Sequence, residues 1–199
     1  NIKLWELNCS ENQLTTLNLN PWLIELNCTL NKLSTLNVTQ NTYLNILYCS
    51  GNLLTHLNVS QNTNLLELEC GVYFPPFIFL GNAITELDLS QNSLLKYLNC
   101  SYNDLSCLNL KNGNNHNMIE GTYGAFGAIA TSLPGLISTN NPNLLCIEVD
   151  DTSWSTTNWT YIDSQSNFSN DCGNPCYALA TKENNYNSVH IYPNPFSTS

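Results

Sequence analysis

Residues 44–64 read LNILYCSGNLLTHLNVSQNTN, and the reading of this stretch decides the fold. Leu47 and Cys49 stand two apart, as do Leu57 and Val59, and each pair is followed three residues later by an asparagine, Asn52 and Asn62. Residues two apart share one face of an extended chain, so each pair marks a short strand with an apolar inner side. The asparagine marks the turn that ends it.

Outward from this stretch the same frame recurs. Leu7, Leu26, Leu68 and Leu98 repeat Leu47; Asn12, Asn31, Asn82 and Asn103 repeat Asn52; Leu17, Leu36, Leu87 and Leu108 repeat Leu57. The cysteines Cys9, Cys28, Cys49, Cys70 and Cys100 are spaced by 19, 21, 21 and 30 residues. This is a 21-residue unit with a two-residue deletion around Asn20-Pro21-Trp22 and a nine-residue insertion after Cys70. One coil of that length cannot bury its own apolar side, whereas stacked coils bury it jointly at roughly 4.8 Å per coil. The asparagines then line up as an internal ladder whose amides satisfy backbone groups left unpaired by the turns. Because the two halves of each unit resemble one another, both long sides of a coil are expected to carry short strands.

These positions resemble the leucine-rich-repeat family, in particular its 21-residue bacterial type in which Cys replaces the second Leu, over residues 4–112 in five units. The resemblance implies a mainly β fold: a leucine-rich-repeat solenoid of short parallel strands, about five to six coils, closed by an irregular aromatic C-terminal cap. Four segments are expected: the solenoid at 1–112 with its insertion at 71–81, an inserted last coil and cap at 113–176, a linker at 177–190, and a distinct tail at 191–199.

After Leu110 the period fails, and residues 119–135 look like a longer insertion within the last coil. Trp154, Trp159, Tyr161 and Phe168 follow, large aromatics suited to covering the exposed last layer of a stack. The runs NPNLLCIEVD and FSNDC resemble the terminal cap of secreted leucine-rich-repeat proteins of Bacteroidetes, which implies a disulfide between Cys146 and Cys172. The closing IYPNPFSTS, residues 191–199, resembles the opening of the sorting domain used by type IX secretion. That implies the type IX machinery as a partner and a secreted or outer-membrane cell-surface location. The opening NIKLWELNCS starts in mid-pattern and is read as a processed or truncated end.

Composition narrows the function. Five Lys, no Arg and fifteen acidic residues give a net charge of −10, which argues against binding nucleic acid or an anionic membrane through phosphate contacts. No apolar run is long enough to span a bilayer as a helix. With 34 asparagines and few charges, the surface is carried by amides, hydroxyls and backbone, a composition suited to repeated turns.

Signs of chemistry are sparse. The five periodic cysteines occupy inward strand positions and read as buried apolar thiols whose parallel side chains do not favour bridging. Cys107 falls at an outward position and CGNPC holds Cys172 and Cys176, a pattern that reads as one or two disulfides and not as zinc. His56, His116 and His190 lie far apart with no nucleophile or metalloprotease motif around them, so no enzyme is expected. No cofactor is expected either. Glu148, Asp150, Asp151, Asp163 and Asp171 concentrate acid in the cap and are a candidate for calcium, weighed against ordinary solvated carboxylates and turn caps, but lack the spaced Asp pattern of a calcium loop. The seven Asn-x-Ser/Thr sequons, Asn58 among them, follow from the repeat itself.

Two surfaces stand out as binding candidates. The insertion carries Tyr73, Phe74, Phe77 and Phe79 around Pro75-Pro76, more aromatic area than a turn needs. It either folds back on the solenoid flank or meets a partner. The second surface is an outward row of one hydroxyl per coil, Thr15, Ser34, Thr55, Thr85 and Ser106. Together these point to a non-enzymatic module that recognises or adheres to a protein or glycan. A structural, self-assembling surface element is the alternative, with ordering of water by the hydroxyl row, as in ice-binding solenoids, behind it.

Overall fold

A computed structural model of the chain describes residues 4–71, 81–122, 132–173 and 176. Along one long side of a stack run β1 (Glu6–Asn8), β2 (Glu25–Asn27), β3 (Ile46–Tyr48) and β4 (Glu67–Glu69). The other side carries β5 (Glu86–Asp88), and the chain then alternates: β6 (Tyr97–Asn99) joins the first side and β7 (Cys107–Asn109) the second. A hairpin, β8 (Glu120–Thr122) with β9 (Ser132–Pro134), precedes β10 (Leu136–Ile137), β11 (Cys146–Glu148), the helix α1 (Thr152–Asn158) and β12 (Asn167–Ser169).

The first side is a parallel six-stranded sheet in the order β1-β2-β3-β4-β6-β10, and the second is a parallel four-stranded sheet in the order β12-β11-β7-β5. The expected second strand-bearing side is present from the fourth coil onward, in β5, β7 and β11, whereas the first three coils carry a strand on the first side alone, and the order shows that β10 and β11 form a sixth coil behind the five repeats. Register follows the leucines: Leu7, Leu26, Leu47, Leu68, Leu98 and Leu136 stand opposite one another in turn. Strands are three residues long or shorter because each must turn back within its coil.

The core is a set of inward columns. Leu26, Leu47, Leu68 and Leu98 are fully buried, as are Cys28, Cys49, Cys70 and Cys100 beside them. At about 1.5–3 kcal/mol for each fully buried large apolar side chain, these columns hold the coils together. Burial pushes the Cys28 and Cys70 thiols up to about 12, and raises Cys49 and Cys100 well above their ordinary value. Fully buried in the apolar core, these thiols act as small packing side chains.

Two asparagine ladders run along the two corners. Asn52 Nδ2 donates to the Cys49 carbonyl of its own coil and the Cys28 carbonyl of the preceding one, both at 3.0 Å, while its Oδ1 accepts the Leu33 N–H at 3.0 Å. Asn31, Asn82, Asn103 and Asn141 repeat the arrangement. On the opposite corner Asn41, Asn62, Asn92 and Asn112 each donate to the coil before. The sequons have a separate cause. The Oδ1 atoms of Asn8, Asn27, Asn37, Asn58 and Asn99 accept the N–H two residues on, which closes the strands β1, β2 and β6 at Asn8, Asn27 and Asn99 and fixes the matching turns at Asn37 and Asn58. At Asn8, Asn37 and Asn99 the Ser or Thr hydroxyl donates to the same oxygen at 2.7 Å.

Glycine flanks the insertion for steric reasons. A Cβ on Gly81 would stand 1.4 Å from the Tyr102 carbonyl oxygen, and one on Gly71 2.2 Å from Ser101 backbone atoms, so at both glycines the backbone touches that of the next coil.

The cap differs from the irregular closure expected in holding the two-turn helix α1. Asp151 caps it, with Oδ1 accepting the Trp154 N–H at 3.0 Å. Trp159 is buried, its indole N–H bonded to the Met118 carbonyl at 2.9 Å, and packs against Trp154 and Phe168. Tyr161 departs from the expected aromatic cover: its side chain is exposed, and its backbone bridges to Ile137.

Candidate functional site

Each coil presents its intervening residues outward, so columns of unlike residues far apart in sequence become neighbours. Thr15, Ser34, Thr55, Thr85 and Ser106 are all exposed, one per coil. Their backbones are tied, Thr85 N–H to the Thr55 carbonyl and Ser106 N–H to the Thr85 carbonyl, so the row is held by the scaffold. Thr55 Oγ1 also pairs with His56 Nδ1 at 2.9 Å. Tyr73, Phe74, Phe77 and Phe79 lie outside the described residues.

The outer face of the first sheet carries a polar cluster that sequence reasoning missed. Tyr48, Glu67, Glu69, Tyr97 and Asn99 occupy the outward positions of β3, β4 and β6 and are buried. Tyr48 donates to Glu67 Oε2 at 2.6 Å, and Ser50 Oγ lies 3.3 Å from Glu69 Oε1. Burial pushes the Glu69 carboxyl up to about 7, and the neighbouring Glu67 charge adds to the rise. Desolvation and the Glu67 contact also raise Tyr48, so its hydroxyl remains a donor. The signal was available in the unremarked positions of Leu-x-Cys and its preceding residue, read down the coils as columns.

A shallow groove of about 550 Å³ follows the first asparagine ladder where the insertion returns, between Asn52, Gly81, Tyr102, Asp104, Asn140 and Pro142. At the other corner, Trp22 and Tyr43 are exposed and stacked, ring centres 5.6 Å apart and planes 20° apart.

The acidic residues of the cap serve as turn and helix caps. Asp163 accepts the Asn140 and Asn141 N–H groups at 2.8 and 2.7 Å, Asp150 accepts Gly113 N–H, and Asp171 accepts Gly173 N–H. The Trp154 N–H, and then His116, lower the Asp151 carboxyl. Glu148 lies 3.9 Å from Lys111. Among the described residues no three His, Cys, Asp or Glu side chains come together as a metal set.

Cys146 is bonded to Cys172 and Cys107 to Cys176. Cys107 faces outward, but its disulfide covers it, so it is buried. Cys107 and Cys146 are adjacent on β7 and β11, so Cys176 and Cys172 are fastened to the second sheet at two neighbouring rungs.

No protein-family model matches the chain, and no curated protein matches it. Among solved structures, the functional domain of InlJ from Listeria monocytogenes, which includes a cysteine ladder, is 30% identical with a TM-score of 0.50, over 75% of this chain and 31% of that one. The chain thus spans about a third of that protein's length. With its own column of five cysteines and its in-register parallel strands, the chain has a leucine-rich-repeat-like fold.

Proposed function

We propose that the chain is a non-enzymatic leucine-rich-repeat module that recognises protein, with glycan as the other ligand class, at the cell surface or in the secreted state. The observation that carries this reading is that exposed columns of side chains are held by a backbone whose turns are closed by amide ladders on both corners. A surface ordered before binding loses little entropy on binding, so modest contacts spread over several coils add up. Two disulfides fit an oxidising exterior, and the likeness to the functional domain of InlJ supports a binding role. Export through type IX secretion and a Bacteroidetes-type origin rest on the resemblance of the cap and tail. The division into solenoid, cap, linker and tail is proposed on the same ground.

The test is a protein and glycan array probed with the purified chain beside two variants, T15V/T55V/T85V and F74A/F77A. Binding of a protein or glycan, weakened in either variant at unchanged melting temperature, assigns the reading to that surface. An empty array with the folded chain at micromolar concentration overturns it.

A further inference from the structure

On the outer face of the first sheet Ser50, just beyond β3, reaches two partners in the next coil. Its Oγ lies 3.3 Å from Glu69 Oε1 of β4 and within hydrogen-bond reach of the Gly71 carbonyl. All three residues are buried, Ser50 at 2% exposure and Glu69 at 7%. In the two preceding coils the carbonyls that hold the place of Gly71 are tied to the coil before by backbone, Thr29 by the Glu11 N–H and Ser50 by the Leu30 N–H, each at 2.9 Å. The Gly71 carbonyl takes a side-chain hydroxyl.

A serine hydroxyl carries one proton, whereas a carbonyl oxygen and an ionised carboxylate carry none. Both contacts of Ser50 are therefore hydrogen bonds at once only when the Glu69 carboxyl is protonated: Oε1 donates to Ser50 Oγ, and Ser50 donates to the Gly71 carbonyl. The other carboxyl oxygen agrees with a neutral acid. Oε2 is buried without a hydrogen-bond partner, and Asn99 Nδ2, in register across β4 and β6, is unpartnered too, so the amide opposite does not reach it. Among the described residues the titratable groups around Glu69 are Glu67 on its own strand, Tyr48 on β3 and Tyr97 on β6, with the Cys49 and Cys70 thiols on the inner side. None of these side chains can carry a positive charge. Burial holds the Glu69 carboxyl up at about 7; the Ser50 bond opposes that rise and the Glu67 charge adds to it.

We propose that Glu69, Ser50 and Gly71 form a proton switch between the third and fourth coils, in which the serine hydroxyl ties the Gly71 carbonyl while Glu69 is protonated and turns to the carboxylate once it is not. On ionisation the Glu69 O–H bond breaks and its proton passes to solvent; no other covalent bond changes. The hydroxyl then turns because a charged acceptor holds a donor more strongly than a neutral carbonyl does. The Gly71 tie is released, so this corner loosens as pH rises through about 7, whatever the chain binds.

The test is carbon NMR of the full chain from pH ~5 to pH ~9, reading the Glu69 Cδ for ionisation and the Gly71 carbonyl carbon for its hydrogen bond. In the parent the two signals should titrate together with one midpoint at about 7. Glu69→Gln can still donate to Ser50 Oγ but cannot ionise, so its Gly71 carbonyl should stay at the low-pH position throughout. In Ser50→Ala the Glu69 carboxyl should titrate at a higher midpoint, having lost the bond that favours its charge, while Gly71 stays fixed at an untied position. A Gly71 carbonyl that stays still as Glu69 ionises, one that moves equally in Ser50→Ala, or a Glu69 that does not titrate in this range overturns the proposal. Should Glu69→Gln fail to fold, the parent and Ser50→Ala decide the matter.

Discussion

At the scale of single residues, the asparagine that closes each turn does more than any leucine to keep coils in register. Asn52 satisfies two carbonyls and one N–H, all in the interior of the turn and from three different coil positions. Asn52→Ala leaves those groups buried and unpaired, at about 1–3 kcal/mol each, so urea denaturation should show a loss of about 3 kcal/mol or more. Asn12→Ala, at an exposed position whose amide reaches only its own coil, should lose about 1 kcal/mol. Glu69 makes the opposite case. Its carboxyl sits at about 7 instead of the ordinary 4.5 because burial penalises the charge, and Oε2 has no hydrogen-bond partner among the described residues. The folded chain therefore binds this proton more tightly than the unfolded one. Stability is fully present below the ordinary value and is lost as pH rises through about 7. Glu69→Gln cannot ionise and should be more stable than the parent by about 3 kcal/mol at pH ~8 and nearly equal at pH ~4, as calorimetry across that range would show.

At the scale of elements, what was legible in the sequence is what repeats. Leu47, Cys49 and Asn52 recur at one spacing, so the strands, the inward columns and the first ladder could be read before any coordinates. The column Tyr48, Glu69, Asn99 recurs at the same spacing but in three different residue types, and a pattern of identity does not reveal a pattern of position. The helix α1 was hidden for another reason: TSWSTTN contains weak helix formers, and the helix stands because Asp151 caps it and Trp159 is buried behind it. Likewise Cys176 could not be matched to Cys107, since no period governs the chain after Leu110. The disulfides are what fasten this aperiodic part. Closing the 26 residues between Cys146 and Cys172 removes chain entropy from the unfolded state worth about 3 kcal/mol. The C146S/C172S pair should therefore lower the melting temperature and loosen β11, α1 and β12 first, a change that near-ultraviolet circular dichroism of the cap tryptophans would report. Uniform loosening of all six coils would contradict this division between a self-holding stack and a stapled end.

At the scale of the whole molecule, a stack in which each coil touches only its neighbours has a stability that varies along its axis. The backbone bonds do not vary: the N–H groups of Cys9, Cys28 and Cys49 each reach the next coil's carbonyl at 2.8 Å. Burial does. Leu7, Cys9, Leu14, Leu17 and Leu19 of the first coil are only partly buried, while their counterparts two coils on, Leu47, Cys49, Leu54, Leu57 and Val59, are at 5% exposure or less. If hydrogen bonds set the local stability, amides at Cys9 and Cys49 would exchange with solvent alike. If apolar burial sets it, as the larger energy per coil requires, Cys9 should exchange faster by about a hundredfold or more, because five side chains that each fall short of the roughly 1.5–3 kcal/mol of full burial together forfeit about 3 kcal/mol. Native-state hydrogen exchange resolved at Cys9, Cys28 and Cys49 decides between the two. A rise in protection from Cys9 to Cys49 at constant bond length would mean that the coils are held by their shared apolar columns, with the ladders fixing the register in which those columns meet.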